Sequence, residues 1–543
     1  MKAIYKSLIA SVALVPMLSS CVEEVFPTNG MTEEQLGSSS KATEALVWGM
    51  SAFTNKYNVL NQTDARAYDW GYGSLMHMRD VMTEDMAIVS NSYDWYNYWE
   101  TDTYIGEGYM TTQFIWNYYT QLVLTTNNTI SAIDPETAND QQLCYLGMGY
   151  AYRAAAYLDM ARMYEFLPTT VLPAVSPSGN PVEGLTVPII TEKTTEEESR
   201  DNPRATHEEM FDFLESDLLL SVEYIAKGAR SSKTQPDLSV AYGLLARLYM
   251  WNEDYPKAAE YARLAIDNFS GYPTTKEQWL NTSTGFNDLN TPSWMWGSQM
   301  MKEDDVVQSG ILNWTAWMSN EALYGYAAAG PFVMIGKSVY DRISDDDFRK
   351  LSYKAPEGSP LYGQEPVIDA SWAADLPDYA SYKFRPGEGK TEDYTVGSAF
   401  AYPLMRIEEM YFIEAEATAH TAPAQGAALL NTFMQTYRYP GYNCTASGEE
   451  AIVEEIVFQK RVELWGEGQS FYDIKRLNYS VTRGYEGTNF YAGCDYNTDG
   501  RPAWMNIVII QSEGNNNAGV RGYNNPDPSD LYKSWSMAGD QDQ

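Results

Sequence analysis

The sequence predicts a mainly α fold in which pairs of helices form a scaffold and long, irregular, aromatic-rich loops extend from it. Apolar and small residues recur at helical spacing in three regions of the chain. At 70–109 and 271–400, glycine, proline, asparagine and tryptophan replace that pattern, and loops of such length inside a compact domain are usually functional. We therefore expect a single domain over residues 41–543, with its helical scaffold at about 41–270 and 400–480 and a loop-rich excursion at about 271–400.

The chain begins with features typical of an exported bacterial lipoprotein. Lys2 and Lys6 lead into a run of about a dozen apolar residues, which is too short to span a bilayer. Leu-Ser-Ser-Cys follows at 18–21, and small residues before a cysteine resemble the site cleaved by the lipoprotein signal peptidase. We expect residues 1–20 to be a signal peptide and Cys21 to carry the lipid.

Residues 21–40 are expected to form a flexible tether, because they begin with acidic and polar residues. In one group of gut and oral bacteria, acids such as Glu23 and Glu24 close behind the lipidated cysteine accompany display on the outer face. A single acyl chain holds a protein only marginally, at about 0.8 kcal/mol per buried methylene, whereas bacterial lipoprotein cysteines resemble multi-chain anchors. We expect a lipid-anchored protein of the outer membrane that faces the cell exterior.

The charge balance excludes nucleic-acid binding. The chain has 73 acidic and 37 basic residues and a formal net charge of −36, which becomes −38 when Lys2 and Lys6 leave with the signal peptide. Such a charge repels nucleic acid and anionic polymers and favours neutral or cationic ligands. No apolar run of 18 residues or more follows the signal peptide, so we expect membrane contact through the lipid anchor alone.

The cysteines indicate at most one disulfide, because three remain if Cys21 carries lipid. Cys144 lies in an apolar helical stretch and is predicted to be a core residue. Cys444 and Cys494 lie in Gly- and Asn-rich surroundings and could pair. No C-x-x-C motif occurs, which excludes zinc ribbons and thioredoxin-like redox sites.

The helical pattern is clearest at residues 239–266, which predict a helix-turn-helix. Seven small or aromatic positions match the tetratricopeptide pattern in register: Leu245, Ala246, Tyr249, Tyr255, Ala258, Tyr261 and Ala265. One such pair cannot bury its own face, so partner helices are predicted at 145–164, 205–218 and 405–437. The second of these opens with a capping box from Thr206 to Glu209. Because the pairs are scattered along the chain, a tetratricopeptide-like scaffold is favoured over a pure solenoid.

The order of these segments resembles the SusD/RagB family. R-A-A-A-Y-L-D-M-A-R-M-Y (153–164), V-P-I-I-T (187–191), the helix at 205–218, the helix pair and P-L-M-R-I-E-E-M-Y-F-I-E-A-E-A (403–417) follow one another as in that family. The strongest match is E-E-I-V-F-Q-K-R-V-E-L-W-G-E-G-Q-S-F-Y-D-I-K-R-L-N (454–478), with its glutamate-rich helix, E-G-x-x-F-x-D turn and basic end. The resemblance extends from about residue 145 to 478.

The resemblance implies a SusD-like fold and a non-catalytic nutrient-capture lipoprotein that acts as the lid of a SusC-like TonB-dependent transporter. Members of the family bind glycans, and some bind peptides. We therefore expect a cell-surface protein that captures a neutral oligo- or polysaccharide, with peptide capture as the alternative. The charged signature residues Arg461, Glu463, Glu467 and Asp473 are expected to tie helix to turn rather than to bind ligand.

Clustered aromatic residues are the candidate glycan site, because sugars stack their C–H faces on flat rings. Residues 91–119 contain 11 aromatic residues, where the chain's 14% aromatic content would give about 4. Trp95 and Trp99 are four residues apart, which suits one face of a helix or strand. Residues 294–317 contain two further tryptophan pairs, one at the i, i+2 spacing of a strand and one at the i, i+3 spacing of a helix. The predicted ligand contacts are Trp95, Trp99, Trp294, Trp296, Trp314 and Trp317; the alternative for any one of them is a place in the core.

Enzymatic and metal-dependent functions have weaker support. A secreted acidic glycoside hydrolase is the third hypothesis, since 73 carboxylates could include a catalytic pair. His207 begins H-E-E-M-F, which lacks the second histidine of a zinc-protease motif. Asp495, Asn497 and Asp499 copy the first half of a calcium loop, but Asn506 occupies position twelve, so a polar turn is favoured and calcium stays an alternative. No cofactor is expected.

Overall fold

The structure, a computed structural model, describes residues 40–536. The predicted signal peptide, the lipidated Cys21 and the tether before residue 40 lie outside the described residues. Among those described, the helices of ten residues or more are α1 Ser40–Phe53, α2 Tyr72–Val81, α3 Met110–Ser131, α4 Asp140–Tyr164, α5 His207–Ile225, α6 Leu238–Trp251, α7 Tyr255–Asp267, α8 Ile407–Thr421, α9 Pro423–Tyr437 and α10 Glu449–Glu463. The predicted mainly α fold class is confirmed.

Shorter elements join these helices. The strands are β1 Met86–Ile88, β2 Trp294–Gln299, β3 Val333–Ile335 and β4 Ala401–Arg406. The short helices are Asn97–Glu100, Glu196–Ser199, Lys276–Trp279, Asp305–Gln308, Trp314–Met318, Gly325–Ala329, Lys337–Arg342, Ala370–Asp375, Tyr394–Gly397, Ser470–Arg476 and Gln511–Asn516. Single turns of 3-10 helix lie at Phe348–Ser352, Gly387–Gly389 and Ala503–Met505.

The helix pair predicted at 239–266 forms as α6 and α7. Asp254 caps α7 by accepting a hydrogen bond from the backbone N–H of Lys257 at 3.3 Å. Ala258 and Ala265 are fully buried, which lets α7 approach its neighbours closely. Tyr249 and Tyr261 stack with their ring centroids 5.2 Å apart and fill the remaining gap. The pair packs onto α8 and α5, so the tetratricopeptide-like arrangement is confirmed.

The capping box predicted at the start of α5 is also confirmed. The Thr206 hydroxyl accepts from the backbone N–H of Glu209 at 3.2 Å, and the Glu209 carboxylate accepts from the backbone N–H of Thr206 at 2.9 Å. This reciprocal cap fixes the N-terminus of α5, whose apolar face packs along α4.

The excursion at 271–400 packs onto the scaffold through two antiparallel strand pairs. β1 pairs with β3, with Met86 opposite Ile335, and β2 pairs with β4, with Gln299 opposite Ala401. Every residue of β1, β3 and β4 is buried. The paired strands therefore join part of the excursion to the core, whereas none of residues 356–372 is buried.

The charged signature around α10 forms a buried ion network. Glu463 is fully buried and contacts three guanidinium groups, those of Arg349 at 3.0 Å, Arg406 at 3.1 Å and Arg438 at 2.6 Å. Burial opposes ionisation of Glu463, yet the guanidinium groups, led by Arg438, hold its pKa far below the ordinary range. The network therefore depends on an ionised carboxylate with no water around it.

The rest of the signature ties α10 to the turn that follows, as predicted. Glu467 in the turn accepts from Lys383 at 2.7 Å and from Arg406 at 2.9 Å. Asp473 on the helix Ser470–Arg476 contacts Lys460 of α10 at 2.9 Å. Arg461 reaches further, to Glu84 and Asp85 beside β1. The structural role expected of these four residues is confirmed.

The cysteines do not form the disulfide that we considered. Cys144, Cys444 and Cys494 are all free thiols within residues 40–536. Cys144 is fully buried in the main core, as predicted. Cys444 packs against the cluster formed by α8, α9 and α10, whereas Cys494 belongs to a separate small cluster with β1 and β3. Different packing environments keep the two thiols apart.

Within residues 40–536, no helix is both long enough and apolar enough to cross a bilayer.

Replacing Glu463 by Gln should destabilise the fold strongly, because three buried guanidinium groups would lose their shared counter-charge. We expect a loss of about 3–5 kcal/mol in the free energy of unfolding, measured by chemical denaturation at pH 7. Glu454→Gln on the same helix is the control, since Glu454 is exposed and 3.7 Å from Arg342, and it should cost about 0.5 kcal/mol or less. Equal losses in the two variants would contradict the role given to Glu463.

Candidate functional site

An open pocket of about 390 Å³ lies where the early aromatic segment meets the start of α3. Its volume falls within the range of about 300–1,000 Å³ that small-ligand sites occupy. Five aromatic side chains and three others line it: Arg66, Tyr68, Trp95, Tyr98, Tyr104, Tyr109, Met110 and Thr111. We define these eight residues as the aromatic pocket.

One wall of the aromatic pocket is anchored through Tyr96. Its buried ring packs edge-on against Trp317 at 4.9 Å, and its hydroxyl is 2.6 Å from the Ser74 hydroxyl. Asp94 accepts a hydrogen bond from the backbone N–H of Tyr96 at 3.0 Å, which fixes the turn. Trp95 and Tyr98, on either side of this anchor, are left half-buried with ring surface facing the pocket.

The excursion contributes a second support for Trp95. Tyr326 stacks on Trp317 with ring centroids 4.2 Å apart. Burial raises the pKa of the Tyr326 hydroxyl, and the neighbouring Trp95 side chain opposes that rise. Tyr326 therefore links Trp95 to the ring of Trp317.

The opposite wall is built by Tyr104 and Tyr109, which are 54% and 43% exposed. Tyr104 packs edge-to-face against Tyr98 at 5.9 Å and against Tyr109 at 5.2 Å. Asp102 and Tyr104 have φ angles of 52° and 56°, in the left-handed region that costs a non-glycine residue about 1–3 kcal/mol. The Thr111 hydroxyl donates to the Tyr104 carbonyl and holds this turn closed. The strained turn is what presents the Tyr104 ring to solvent.

Polar groups of the aromatic pocket suit hydroxyl-rich ligands. Arg66 is exposed, and its guanidinium donates to the Met110 sulfur at 3.1 Å, which leaves further N–H donors for a ligand. Burial raises the pKa of the Tyr68 hydroxyl, so it stays a neutral donor and acceptor. Rings for stacking and donors for hydroxyl groups are together in one pocket.

Trp95 is the one predicted tryptophan that lines the aromatic pocket, and Trp99 does not. The helix Asn97–Glu100 begins after Trp95, so the two rings do not share a helical face. Trp99 is 1% exposed and packs against Tyr68 at 5.2 Å and Tyr96 at 5.6 Å. The placement of Trp99 as a ligand contact is wrong, because its ring forms the support beneath the pocket.

The four later tryptophans are also core residues rather than ligand contacts. The strand spacing at Trp294 and Trp296 and the helix spacing at Trp314 and Trp317 both match the structure, but all four side chains are 0–5% exposed. Trp314, for example, stacks on Tyr402 at 4.9 Å. Our expectation that these rings face a ligand is wrong, because the excursion packs against the scaffold on both of its faces.

Sequence reasoning missed Tyr98, Tyr104, Tyr109 and Arg66. The three tyrosines lie in the aromatic-rich segment 91–119, but we selected tryptophans within it. A signal was present: Tyr104 and Tyr109 flank Gly106 and Gly108, where the helical pattern is absent. The phenolic hydroxyl lets a tyrosine present a ring face at a wet surface, whereas tryptophans are commonly drawn into the core.

A second cavity of about 440 Å³ lies along α3 and α4. Its floor is apolar, with Val123, Leu124 and Met160, and its rim carries Arg200 and Glu513. The aromatic side chains there, Trp116 and Tyr157, are 7% and 2% exposed, so neither offers a ring face for stacking. This cavity suits an apolar side chain better than a sugar.

The calcium alternative at Asp495, Asn497 and Asp499 finds no support. The Asn497 amide accepts from the backbone N–H of Gly484 and donates to its carbonyl, both at 2.8 Å, so it is not free to bind an ion. Over residues 40–536 no group of three or more His, Cys, Asp or Glu side chains is arranged to hold a metal.

Comparisons with known proteins agree with this architecture. A SusD-like family model described as starch-binding and associating with the outer membrane matches residues 37–250, and the SusD family model matches residues 315–529. A comparison with curated proteins gave no match.

Solved structures share the fold. A SusD-like carbohydrate binding protein from Bacteroides vulgatus has a TM-score of 0.66 at 20% identity, covering 88% of this chain and 96% of its own. A SusD superfamily protein from Bacteroides thetaiotaomicron has a TM-score of 0.65 at 17% identity, covering 88% and 98%. A laminarin binding SusD-like protein has a TM-score of 0.58 at 16% identity, covering 88% and 97%. At these identities the similarity establishes the fold.

Stability measurements should separate core rings from pocket rings. Trp314→Ala should lower the free energy of unfolding by about 3–5 kcal/mol, because it leaves a large cavity in the core. Tyr109→Ala, which removes a partly exposed ring of the aromatic pocket, should cost about 0.5 kcal/mol. Urea denaturation of both variants is the measurement, and similar losses would show that the aromatic pocket is a part of the core.

Proposed function

Because the chain belongs to the SusD family, we propose that it is a cell-surface binding protein that captures a glycan in the aromatic pocket and delivers it to a SusC-like TonB-dependent transporter. The observation that carries the proposal is the aromatic pocket itself, in which partly exposed rings of Trp95, Tyr98, Tyr104 and Tyr109 meet the donors of Arg66. The carbohydrate-binding and laminarin-binding relatives with this fold support it.

The chemistry of the aromatic pocket favours a neutral glycan. Pyranose rings have apolar C–H faces that stack on aromatic rings, and their hydroxyl groups accept hydrogen bonds from guanidinium donors. The formal net charge of −36 disfavours a polyanionic glycan at long range. Because the pocket is open and has aromatic rings on two walls, it suits the internal sugars of a polysaccharide as well as its terminal sugar.

The pocket favours binding over hydrolysis. Glycoside hydrolysis uses a pair of carboxyl groups about 5–9.5 Å apart on either side of the scissile bond. None of the eight side chains that line the aromatic pocket is a carboxylate. We therefore propose that the protein holds its ligand without turning it over.

The proposed location is the outer face of the outer membrane, with Cys21 as the lipid anchor. The lipobox-like sequence at 18–21 supports it, as does the description of the family model as associating with the outer membrane. An anchor of this kind would let the domain swing as a lid over the transporter.

Glycan binding is tested by affinity electrophoresis of residues 22–543 in gels containing neutral polysaccharides, laminarin among them, followed by calorimetry with the best ligand. Trp95→Ala and Tyr98→Ala should each weaken binding at least about tenfold, because a well-packed aromatic anchor contributes more than about 1.4 kcal/mol. Tyr362→Ala is the matched control, since Tyr362 is 51% exposed and lies outside the aromatic pocket. If a polysaccharide retards the wild type and both pocket variants equally, the aromatic pocket is not the binding site.

Peptide capture is the second candidate, and the apolar floor of the 440 Å³ cavity favours it. Leu124, which is 60% exposed, lines this cavity together with the buried Val123 and Met160. Leu124→Glu should abolish binding of peptides with apolar side chains in a calorimetric screen and leave glycan binding intact. Tight peptide binding that survives this substitution would contradict the peptide proposal at this cavity.

A further inference from the structure

Two buried carboxyl groups flank the tryptophan wall of the aromatic pocket. Asp94 and Glu100 lie on either side of Trp95 and Tyr98 in the chain, and they are 6% and 3% exposed. One oxygen of Asp94 caps the Tyr96 backbone N–H, but its other oxygen and both oxygens of Glu100 have no hydrogen bond of normal geometry. Buried carboxylates without partners are costly, so this arrangement needs an explanation.

The two carboxyl groups face each other. When both carboxyl groups are ionised, both are hydrogen-bond acceptors and their charges repel each other. When one of them is protonated, its O–H can donate a hydrogen bond to the other. Neither group forms an ion pair with any side chain in residues 40–536. The neutral Tyr491 hydroxyl can donate to one Glu100 oxygen, and a proton shared with Asp94 would satisfy a further oxygen of the pair.

The surroundings contain no spare cation for the pair. Arg483 is the basic side chain that faces Glu100, and its guanidinium donates to the backbone carbonyls of Val81, Thr83, Glu100 and Cys494 at 2.8–3.3 Å. Tyr491 and Cys494 also face Glu100 from this segment. Burial, followed by the charge of Glu100, raises the pKa of the Tyr491 hydroxyl and of the Cys494 thiol, so both stay neutral.

A third buried acid in the same segment is separate from the pair. Asp102 faces the C-terminal residues Asp527 and Asp530 and the backbone N–H of Leu531. Both oxygens of Asp102 also lack a hydrogen bond of normal geometry, and burial raises its pKa, so Asp102 adds a pH dependence of its own to the segment.

We propose that Asp94 and Glu100 are positioning residues that hold the aromatic pocket together by sharing one proton, so that ligand binding weakens as the pair ionises. The part of this proposal that concerns ligand rests on the proposed function. Loss of the shared proton would set two like charges against each other within the segment that carries Trp95 and Tyr98, and this segment would open.

The direction of the pH dependence follows from burial. Burial raises the pKa of Glu100, and the charge of Asp94 adds to the rise; burial likewise raises the pKa of Asp94. The folded pair therefore binds more protons than an unfolded pair does above about pH 4, the ordinary carboxyl pKa. The stability of the segment falls as pH rises from that value through the raised pKa values of the pair.

The first test is hydrogen exchange of the full chain in detergent, followed by mass spectrometry of peptides from residues 91–111 at pH 5 to 9. After correction for intrinsic rates, the opening equilibrium of the wild-type segment should rise at least about tenfold between pH 5 and 8, the effect of one unit of pKa shift. In an Asp102→Asn background, which removes the third buried acid of the segment, Glu100→Gln and Asp94→Asn should each reduce this slope, and the two substitutions together should remove it. Asp64→Asn, at an exposed carboxyl, should keep it.

A flat wild-type profile, or a slope that the variant lacking both carboxyl groups retains in full, would overturn the proposal. This measurement needs no ligand, so a failed glycan screen would defeat the proposed function and leave this test intact. Where a glycan binds, its Kd should weaken at least about tenfold between pH 5 and 8 in the wild type and stay constant in the variant that carries both Asp94→Asn and Glu100→Gln. If the segment opens as pH rises but the Kd for the glycan does not change, the claim that the carboxyl pair controls ligand binding would be overturned.

Discussion

The carboxylate of Glu463, buried among Arg349, Arg406 and Arg438, is the contact on which the rest of the structure depends. A buried carboxylate is tolerated only when its partners replace the lost water, and removing one partner leaves an uncompensated charge. The three guanidinium groups come from distant parts of the chain: the excursion, the end of β4 and the residue after α9. The ion network can therefore close only when excursion, strand and helices are all in place.

That closure determines where the aromatic pocket forms. With the excursion held against α10 and β4, its tryptophans fill the space over α2, and Trp317 stacks on Tyr326. Trp317 then supports Tyr96, and Tyr326 neighbours Trp95, so the excursion contacts the pocket residues without lining the pocket. The proposed glycan-binding surface belongs to the early segment, and the later segment supports it.

Sequence reasoning succeeded where structure is determined locally. Helical spacing predicted α6 and α7, a capping box predicted the start of α5, and the charged signature predicted a structural network. Spacing also predicted the strand at Trp294 and the helix at Trp314 correctly, but it could not show that both lie between packed layers. Burial of these rings depends on β2–β4 pairing and on contacts such as that of Trp314 with Tyr402, which are distant in sequence.

The molecule solves the problem of a buried carboxyl group in two different ways. Glu463 keeps its charge because three guanidinium groups surround it. Asp94 and Glu100 form no ion pair within residues 40–536, and the shared proton proposed above would let the pair stay buried. Segments with such orphaned polar groups open at lower free energy than the global unfolding of the domain. The strained turn at Asp102 and Tyr104 lies in the same segment, so the pocket wall that would meet a ligand combines backbone strain with orphaned carboxyl groups.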